Sequence, residues 1–119
     1  RRFHMEQISR VAAKLTSIPE RNGTMLDHTL IVYLSDAAEK HHGSCTEWPF
    51  LLLGGLGQEK SASGRYLHYP GYGKKGQRTI GNLYNTFMEY AGKPQDQFGR
   101  LDLNIEAELQ RGPLPELIS

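Results

Sequence analysis

The predicted fold class rests on one stretch, Thr29-Leu-Ile-Val-Tyr-Leu-Ser-Asp36. Its apolar run, Leu30 to Leu34, has no polar alternation and is rich in β-branched and aromatic side chains. Such a run is typical of a strand that is covered on both faces, as in a parallel sheet flanked by helices. The sequence therefore predicts an α/β fold with a buried, mostly parallel sheet.

A second apolar run, Phe50 to Leu53, follows Trp48-Pro49 and ends at Gly54-Gly55. Its length favours a second buried strand over a helix. We expect the central strands to occupy residues 29–35 and 49–54, side by side and parallel.

Two amphipathic stretches predict the helices that cover this sheet. The first spans residues 2–18 and ends at Pro19, and the second begins after Thr79 and ends at Ala91-Gly92. Residues 101–105 alternate like a short edge strand, and the tail from residue 112 reads as extended chain.

Length and composition limit the organisation of the chain. Its 119 residues with 38% hydrophobic and 23% charged content predict a single domain, 1–119. The formal charge of +1 gives no general electrostatic reason to expect nucleic acid, and no apolar run is long enough to span a membrane. The start at Arg1, without Met or a signal peptide, predicts a piece of a longer protein.

The chemistry is expected just after the first strand. Ligand sites in open α/β sheets lie outside the carboxyl ends of the strands, where Asp36 stands. Glu39, His41 and His42 follow within six residues, and carboxylate with imidazole is a catalytic zinc ligand set. Adjacent side chains of extended chain point opposite ways, so one of the two histidines is the expected ligand.

A catalytic zinc ion needs at least three protein ligands. Glu39 is one candidate for the third, and His68, in the later glycine-rich segment, is another. The alternative interpretation is that Asp36 only caps a loop and that the histidines are exposed. No complete nucleophile, base and oxyanion set is visible, since Ser35, Ser44 and the single Cys45 lie in no G-x-S-x-G turn.

The glycine-rich segment 54–78 interleaves aromatic and basic residues, which are Arg65, Tyr66, Tyr69, Tyr72, Lys74, Lys75 and Arg78. Aromatic and basic residues together can bind single-stranded nucleic acid. An ordered surface loop is the favoured interpretation.

Three stretches of the sequence resemble those of a known protein superfamily. Met25-Leu-Asp-His-Thr-Leu-Ile-Val-Tyr-Leu-Ser-Asp36 resembles the strand that ends in a metal-binding aspartate in the sulfatase and alkaline-phosphatase-like superfamily. Trp48-Pro-Phe-Leu-Leu-Leu-Gly-Gly55 is similar to the strand that follows, and residues 78–92 to a later helix. The whole pattern is most similar to a group of bacterial secreted proteins of unknown function with histidine-rich signatures.

The resemblance implies a C-terminal part of a three-layer, alkaline-phosphatase-like fold. It also implies a divalent metal ion, zinc or calcium, a small-molecule or glycan ester of phosphate or sulfate as substrate, and a secreted or periplasmic location. Asp36 matches the metal-binding aspartate, but Ala37-Ala38 replace the His or Asn and the Gly that usually follow it, so His41 or His42 is the expected substitute.

The superfamily's nucleophile lies earlier than Arg1, so this chain alone is expected to be inactive. The alternative function is a non-catalytic binding or structural module that kept the fold.

Overall fold

The computed structural model describes residues 2–35, 46–55 and 64–118. The chain divides into two compact units, the first formed by residues 1–34 and 50–65 and the second by residues 35–49 and 66–119. Helices and short strands are both present, so the mixed helix-and-strand class is confirmed. None of the described helices has the length and apolar character that crossing a bilayer requires.

The first unit opens with helix α1, Arg2–Thr16, which confirms the first predicted helix. A small hairpin of β1, Pro19–Glu20, and β2, Gly23–Thr24, reverses the chain. A 3₁₀ turn, Met25–His28, follows and leads into the next strand. The Asp27 carboxylate accepts hydrogen bonds from the backbone N–H of Thr24 at 2.7 Å and from its hydroxyl at 2.8 Å, which fixes the start of this turn.

The two predicted central strands are present as β3, Ile31–Leu34, and β4, Phe50–Leu53. They pair with each other, but the prediction that they run parallel is wrong, because Ile31 pairs with Leu53 and Leu34 with Phe50 in antiparallel register. A parallel return needs a crossover of a dozen or more residues, usually a helix. The sequence of residues 37–47 has no apolar periodicity that would form one.

The buried, mostly parallel sheet is also not seen among the described residues. Both sheets there are two-stranded and antiparallel, and all four residues of β3 are only half-buried. The apolar run of β3 predicts a strand that is buried on both faces. In a two-stranded pair each face of the strand is covered only in part, so the same apolar residues are half-buried.

Two glycines let the end of β4 pack against the turn before β3. Gly54 has a φ of +102°, and a Cβ at this position would lie 1.9 Å from the carbonyl oxygen of Thr29. A Cβ on Gly55 would lie 2.8 Å from the carbonyl oxygen of Asp27, and the Gly55 N–H donates to the Leu26 carbonyl at 3.3 Å. Only glycine fits this approach.

The second unit is organised around helix α2, Ile80–Tyr90, whose ends lie where the sequence predicts them. Thr79 is the N-cap. At the other end Gly92 has a φ of +69°, Lys93 N–H donates to the carbonyl of Met88, and Gly92 N–H donates to the carbonyl of Glu89. These two bonds form a Schellman motif, which satisfies carbonyls that the helix leaves unpaired.

The core of the second unit is largely polar. Among the described residues, the buried apolar side chains are Leu83, Leu114 and Leu117, and the buried polar ones are Gln77, Asn82, Asn85, Thr86 and Gln110. Buried amides are tolerated only when their hydrogen bonds are made, and here they are.

Two asparagines of α2 hold the chain that returns along the helix. The Asn82 side-chain amide donates to the carbonyls of Arg111 and Gly112 at 2.8 and 3.0 Å, and its oxygen accepts the Thr79 N–H at 2.8 Å. The Asn85 amide donates to the carbonyls of Asp96 and Gly112 at 3.1 and 3.2 Å. The returning chain is therefore fixed by its backbone.

Two further sequence predictions about this returning chain are wrong. Residues 101–105 form turns rather than an edge strand, because the Gln110 side chain bonds the N–H of Asp102 and the carbonyls of Asp102 and Ile105. A short helix α3, Ala107–Gln110, precedes the tail, and the tail from residue 112 is not extended throughout, since a short helix α4, Pro115–Ile118, occurs in it.

Replacing Gly54 by Ala should destabilise the first unit by about 3 kcal/mol or more, because the new Cβ meets a carbonyl oxygen and the φ is positive. Gly71→Ala is the matched control, since Gly71 has open space and no positive φ. Its effect should stay within about 1 kcal/mol. Urea unfolding of both variants measures the difference, and equal stabilities would contradict the close approach.

Replacing Asn82 by Ala should lower the free energy of unfolding by about 3 kcal/mol, because it leaves buried backbone groups without hydrogen bonds. Glu89→Ala, at an exposed position of the same helix, should change it by less than about 0.5 kcal/mol. Thermal and urea unfolding would test this. A fully stable Asn82→Ala protein would show that the asparagine does not hold the returning chain.

Candidate functional site

The candidate metal site follows directly from the end of β3. Leu34 pairs with Phe50, so residues 35–49 leave one end of the hairpin and return to that same end. Ser35, the first residue after the strand, is half-buried. The strand that was predicted to precede Asp36 is therefore present and ends where expected.

Four of the five predicted metal ligands lie outside the described residues. They are Asp36, Glu39, His41 and His42. Their assignment as ligands stays a prediction. Within residues 2–35, 46–55 and 64–118, no group of three or more His, Cys, Asp or Glu side chains is arranged to hold a metal ion.

The fifth predicted ligand, His68, is described and lies on the surface. Its ring is parallel to that of Tyr66 within 5°, with the ring centroids 6.5 Å apart. Tyr66 is 89% exposed. The described contact of His68 is thus with an aromatic ring, and His68 belongs to no group of three or more metal-binding side chains among the described residues.

The segment that carries His68 is anchored through two tyrosine hydroxyls. Tyr69 donates a hydrogen bond to Glu116 at 3.1 Å, and Tyr72 donates one to Asp102 at 2.6 Å. Both carboxylates belong to the returning chain of the second unit. Residues 66–78 of the predicted surface loop are therefore held at two points, by residues 47 and 30 positions away in sequence, whereas residues 56–63 of that loop lie outside the described residues.

These two contacts change the acidity of the groups involved. Burial raises the pKa of Tyr69 to about 12, and the charge and hydrogen bond of Glu116 act in the same direction. The hydrogen bond to Asp102 raises the pKa of Tyr72, and the same bond lowers the pKa of Asp102. Both tyrosines therefore stay neutral donors at neutral pH, and the Asp102 carboxylate stays an acceptor.

The first unit holds a histidine contact that the sequence did not reveal. His4, in the first turn of α1, has its Nδ1 3.0 Å from the hydroxyl of Tyr33 in β3. The rings meet edge to face with centroids 5.9 Å apart. The two residues lie 29 positions apart, and no local pattern marks such a pair.

A second histidine, His28, lies in the 3₁₀ turn before β3. Its Nε2 is buried and has no hydrogen-bond partner among the residues that the structure describes. His28 is the last residue of this turn and lies at the amino-terminal edge of the strand. It is separated by the length of β3 from the end at which the metal ligands are predicted.

The burial of several polar side chains on one face of α2 was also not predicted from the sequence. Asn82, Asn85 and Thr86 have the i, i+3, i+4 spacing that places side chains on one helix face. This spacing is visible in the sequence, but it does not predict burial, because the buried face of a helix is normally apolar.

Comparisons of this chain with protein-family models, with curated proteins and with solved structures found no match. The resemblance to the sulfatase and alkaline-phosphatase-like superfamily therefore stays a prediction from the residues that carry it.

Titration of the tyrosines tests the Tyr69 contact. The absorbance difference between the protein and its Tyr69→Phe variant should show a phenol that ionises near pH 12 rather than near 10.0. Because the folded pKa is raised, the stability contributed by this group is complete below pH 10 and is lost as the pH rises towards 12. Glu116→Gln should lower the midpoint, and an unchanged midpoint would contradict the role of Glu116.

Proposed function

We propose that this chain is the C-terminal part of a metal-dependent hydrolase-like protein that acts on phosphate or sulfate esters. In this proposal the side chains of Asp36 and of His41 or His42 contribute ligands to one divalent ion, zinc or calcium. The proposal includes a small-molecule or glycan ester as substrate and a secreted or periplasmic location.

One observation carries the proposal. The strand Ile31–Leu34 ends one residue before Ser35, and the register with β4 brings the chain back at Phe50. All four ligand candidates from the first sequence motif thus belong to one connection at the carboxyl end of one strand. Ligand sites of open α/β sheets are found at such ends.

The proposed parent fold is a three-layer fold with a mostly parallel sheet. Large parallel sheets often carry an antiparallel strand at their margin, so the β3–β4 pair is compatible with such a sheet. Among the described residues, β3 and β4 pair only with each other. Their half-buried apolar side chains would gain cover from further strands and helices of the parent protein.

The ion would polarise an oxygen of the phosphoryl or sulfuryl group and stabilise the charge that develops on it. Asp36 would neutralise part of the ion's charge, and a histidine would bind as neutral imidazole. The third ligand would come from Glu39, from His68 or from the region before Arg1. The nucleophile is also assigned to that region, so the 119-residue chain is expected to be inactive alone.

The second candidate function is a non-catalytic binding or structural module. The observation that favours it is Ala37-Ala38, where the superfamily usually has a ligand followed by glycine. In that case Asp36 would cap a loop and no ion would be needed.

Metal analysis and ester hydrolysis by a longer protein that includes the region before Arg1 would separate the two functions. We expect a bound divalent ion and hydrolysis of an aryl phosphate or an aryl sulfate. Asp36→Asn should lower both metal content and rate at least tenfold. Glu89→Gln, an exposed carboxylate on α2, is the control and should change neither.

A metal-free and inactive longer protein would support the binding module. So would an experimental structure in which the Asp36 carboxylate and the nearer of the His41 and His42 rings lie more than about 8 Å apart, because zinc ligands approach the ion to about 2 Å.

A further inference from the structure

The surface of the second unit carries an aromatic platform, and one of its residues, His68, is also a candidate for the third metal ligand. The platform belongs to residues 66–78, here named the aromatic segment. Tyr66 is 89% exposed and its ring is parallel to the His68 ring within 5°. An isolated exposed aromatic is common, but here the His68 ring stacks on the exposed Tyr66 ring, and stacking of this kind orients a ring that a ligand ring can cover.

We propose that the aromatic segment binds an anionic glycan chain, with a sugar ring on Tyr66 and an anionic group of the glycan on Lys74 and Lys75. This inference deepens the proposed function and rests on it for one point only, which is that the bound glycan is the ester that would be hydrolysed.

The platform is held in place before any ligand arrives. The hydroxyls of Tyr69 and Tyr72 donate to Glu116 and Asp102, and this fixes the chain on both sides of Gly71. A surface that is already ordered loses less conformational entropy when it binds. The anchored segment is therefore expected to lose less conformational entropy on binding than an unanchored loop of the same composition.

The two lysines lie at a tight turn of the same segment. Lys74 N–H donates to the Gly71 carbonyl at 3.0 Å, and Gln77 N–H donates to the Lys74 carbonyl at 3.1 Å. The Gln77 side chain is 5% exposed, and its oxygen accepts the N–H of Gly73 inside the turn. The buried Gln77 supports the turn, and both lysines remain exposed on it.

The positive charge of the aromatic segment favours an anionic ligand. Residues 66–78 contain Lys74, Lys75 and Arg78 and no Asp or Glu. Neither lysine has a carboxylate within ion-pair distance in the part of the chain that the structure describes, where the ion pairs are Arg2–Glu6 and Arg111–Asp96. Their charge is therefore open to a ligand.

The hydrogen-bond acceptors around the tyrosines favour a glycan over single-stranded DNA. Glu116 and Asp102 lie at the Tyr69 and Tyr72 hydroxyls, and the phosphodiester backbone of DNA has no donor hydrogen for these carboxylates. Sugar hydroxyls, in contrast, can donate hydrogen bonds to a carboxylate. The C–H face of a sugar ring also covers an aromatic ring without needing a charge.

The spacing sets an upper limit on the length that the ligand needs. Tyr66 and Lys74 are eight positions apart, which corresponds to at most about 27 Å of extended chain. An oligosaccharide is the appropriate probe, because it can contact both residues at any distance up to this limit.

Calorimetric titration of the 119-residue chain with a chondroitin sulfate hexasaccharide, with its desulfated form and with an oligothymidine tests the proposal. Tyr66→Ala should weaken binding of both glycans at least fivefold, and Tyr66→Phe should preserve it. The Lys74→Gln/Lys75→Gln double variant should weaken binding of the sulfated glycan at least fivefold, and should weaken binding of the desulfated form less, because that form keeps only its uronate carboxylates. Lys93→Gln, an exposed cation outside the segment, should change affinity less than twofold.

Three results would overturn the proposal: no binding of the sulfated glycan, unchanged affinity in Tyr66→Ala, or oligothymidine binding as tightly as the glycan. The last would assign the segment to nucleic acid. Circular dichroism of each variant confirms that it is folded. No hydrolysis or metal is measured, so this outcome is independent of the test of the ester-hydrolase proposal.

Discussion

The second unit depends on the side-chain amides of Asn82 and Asn85. Each donates its two amide protons to backbone carbonyls of the chain that returns past α2, and Gly112 receives one from each. Thr86 completes the set, because its hydroxyl donates to the Asn82 carbonyl and accepts the Leu114 N–H. Since the returning chain also carries Asp102 and Glu116, the position of the aromatic segment follows from these amides.

Local sequence patterns correctly predicted the two main helices and the two main strands. The two main helices were found because capping residues, Pro19 and Gly92 mark their ends, and the two main strands because their apolar runs are bounded by turn residues. The direction of strand pairing was not predicted correctly. An apolar run reports that a strand avoids water, but it does not report which way its neighbour runs, and the β3–β4 register is antiparallel.

For the candidate site, the sequence correctly predicted the strand β3 that precedes the candidate ligands. The end of β3 was predicted correctly, whereas Asp36 and the histidines lie outside the described residues. Whether a histidine lies beside Asp36 depends on how residues 36–45 fold, and periodicity gives no information there. The contacts of Tyr69 with Glu116 and of His4 with Tyr33 join residues far apart in sequence, and such pairs leave no local pattern.

The polar character of the second unit's core has a thermodynamic consequence. Of the buried side chains in the described residues, three are apolar and five carry amide or hydroxyl groups. Exposing apolar surface raises the heat capacity on unfolding, whereas exposing polar surface lowers it. Unfolding this unit therefore has a smaller heat-capacity change than an apolar core of the same size would give. Its stability curve is flatter, and its resistance to unfolding varies less between cold and warm conditions.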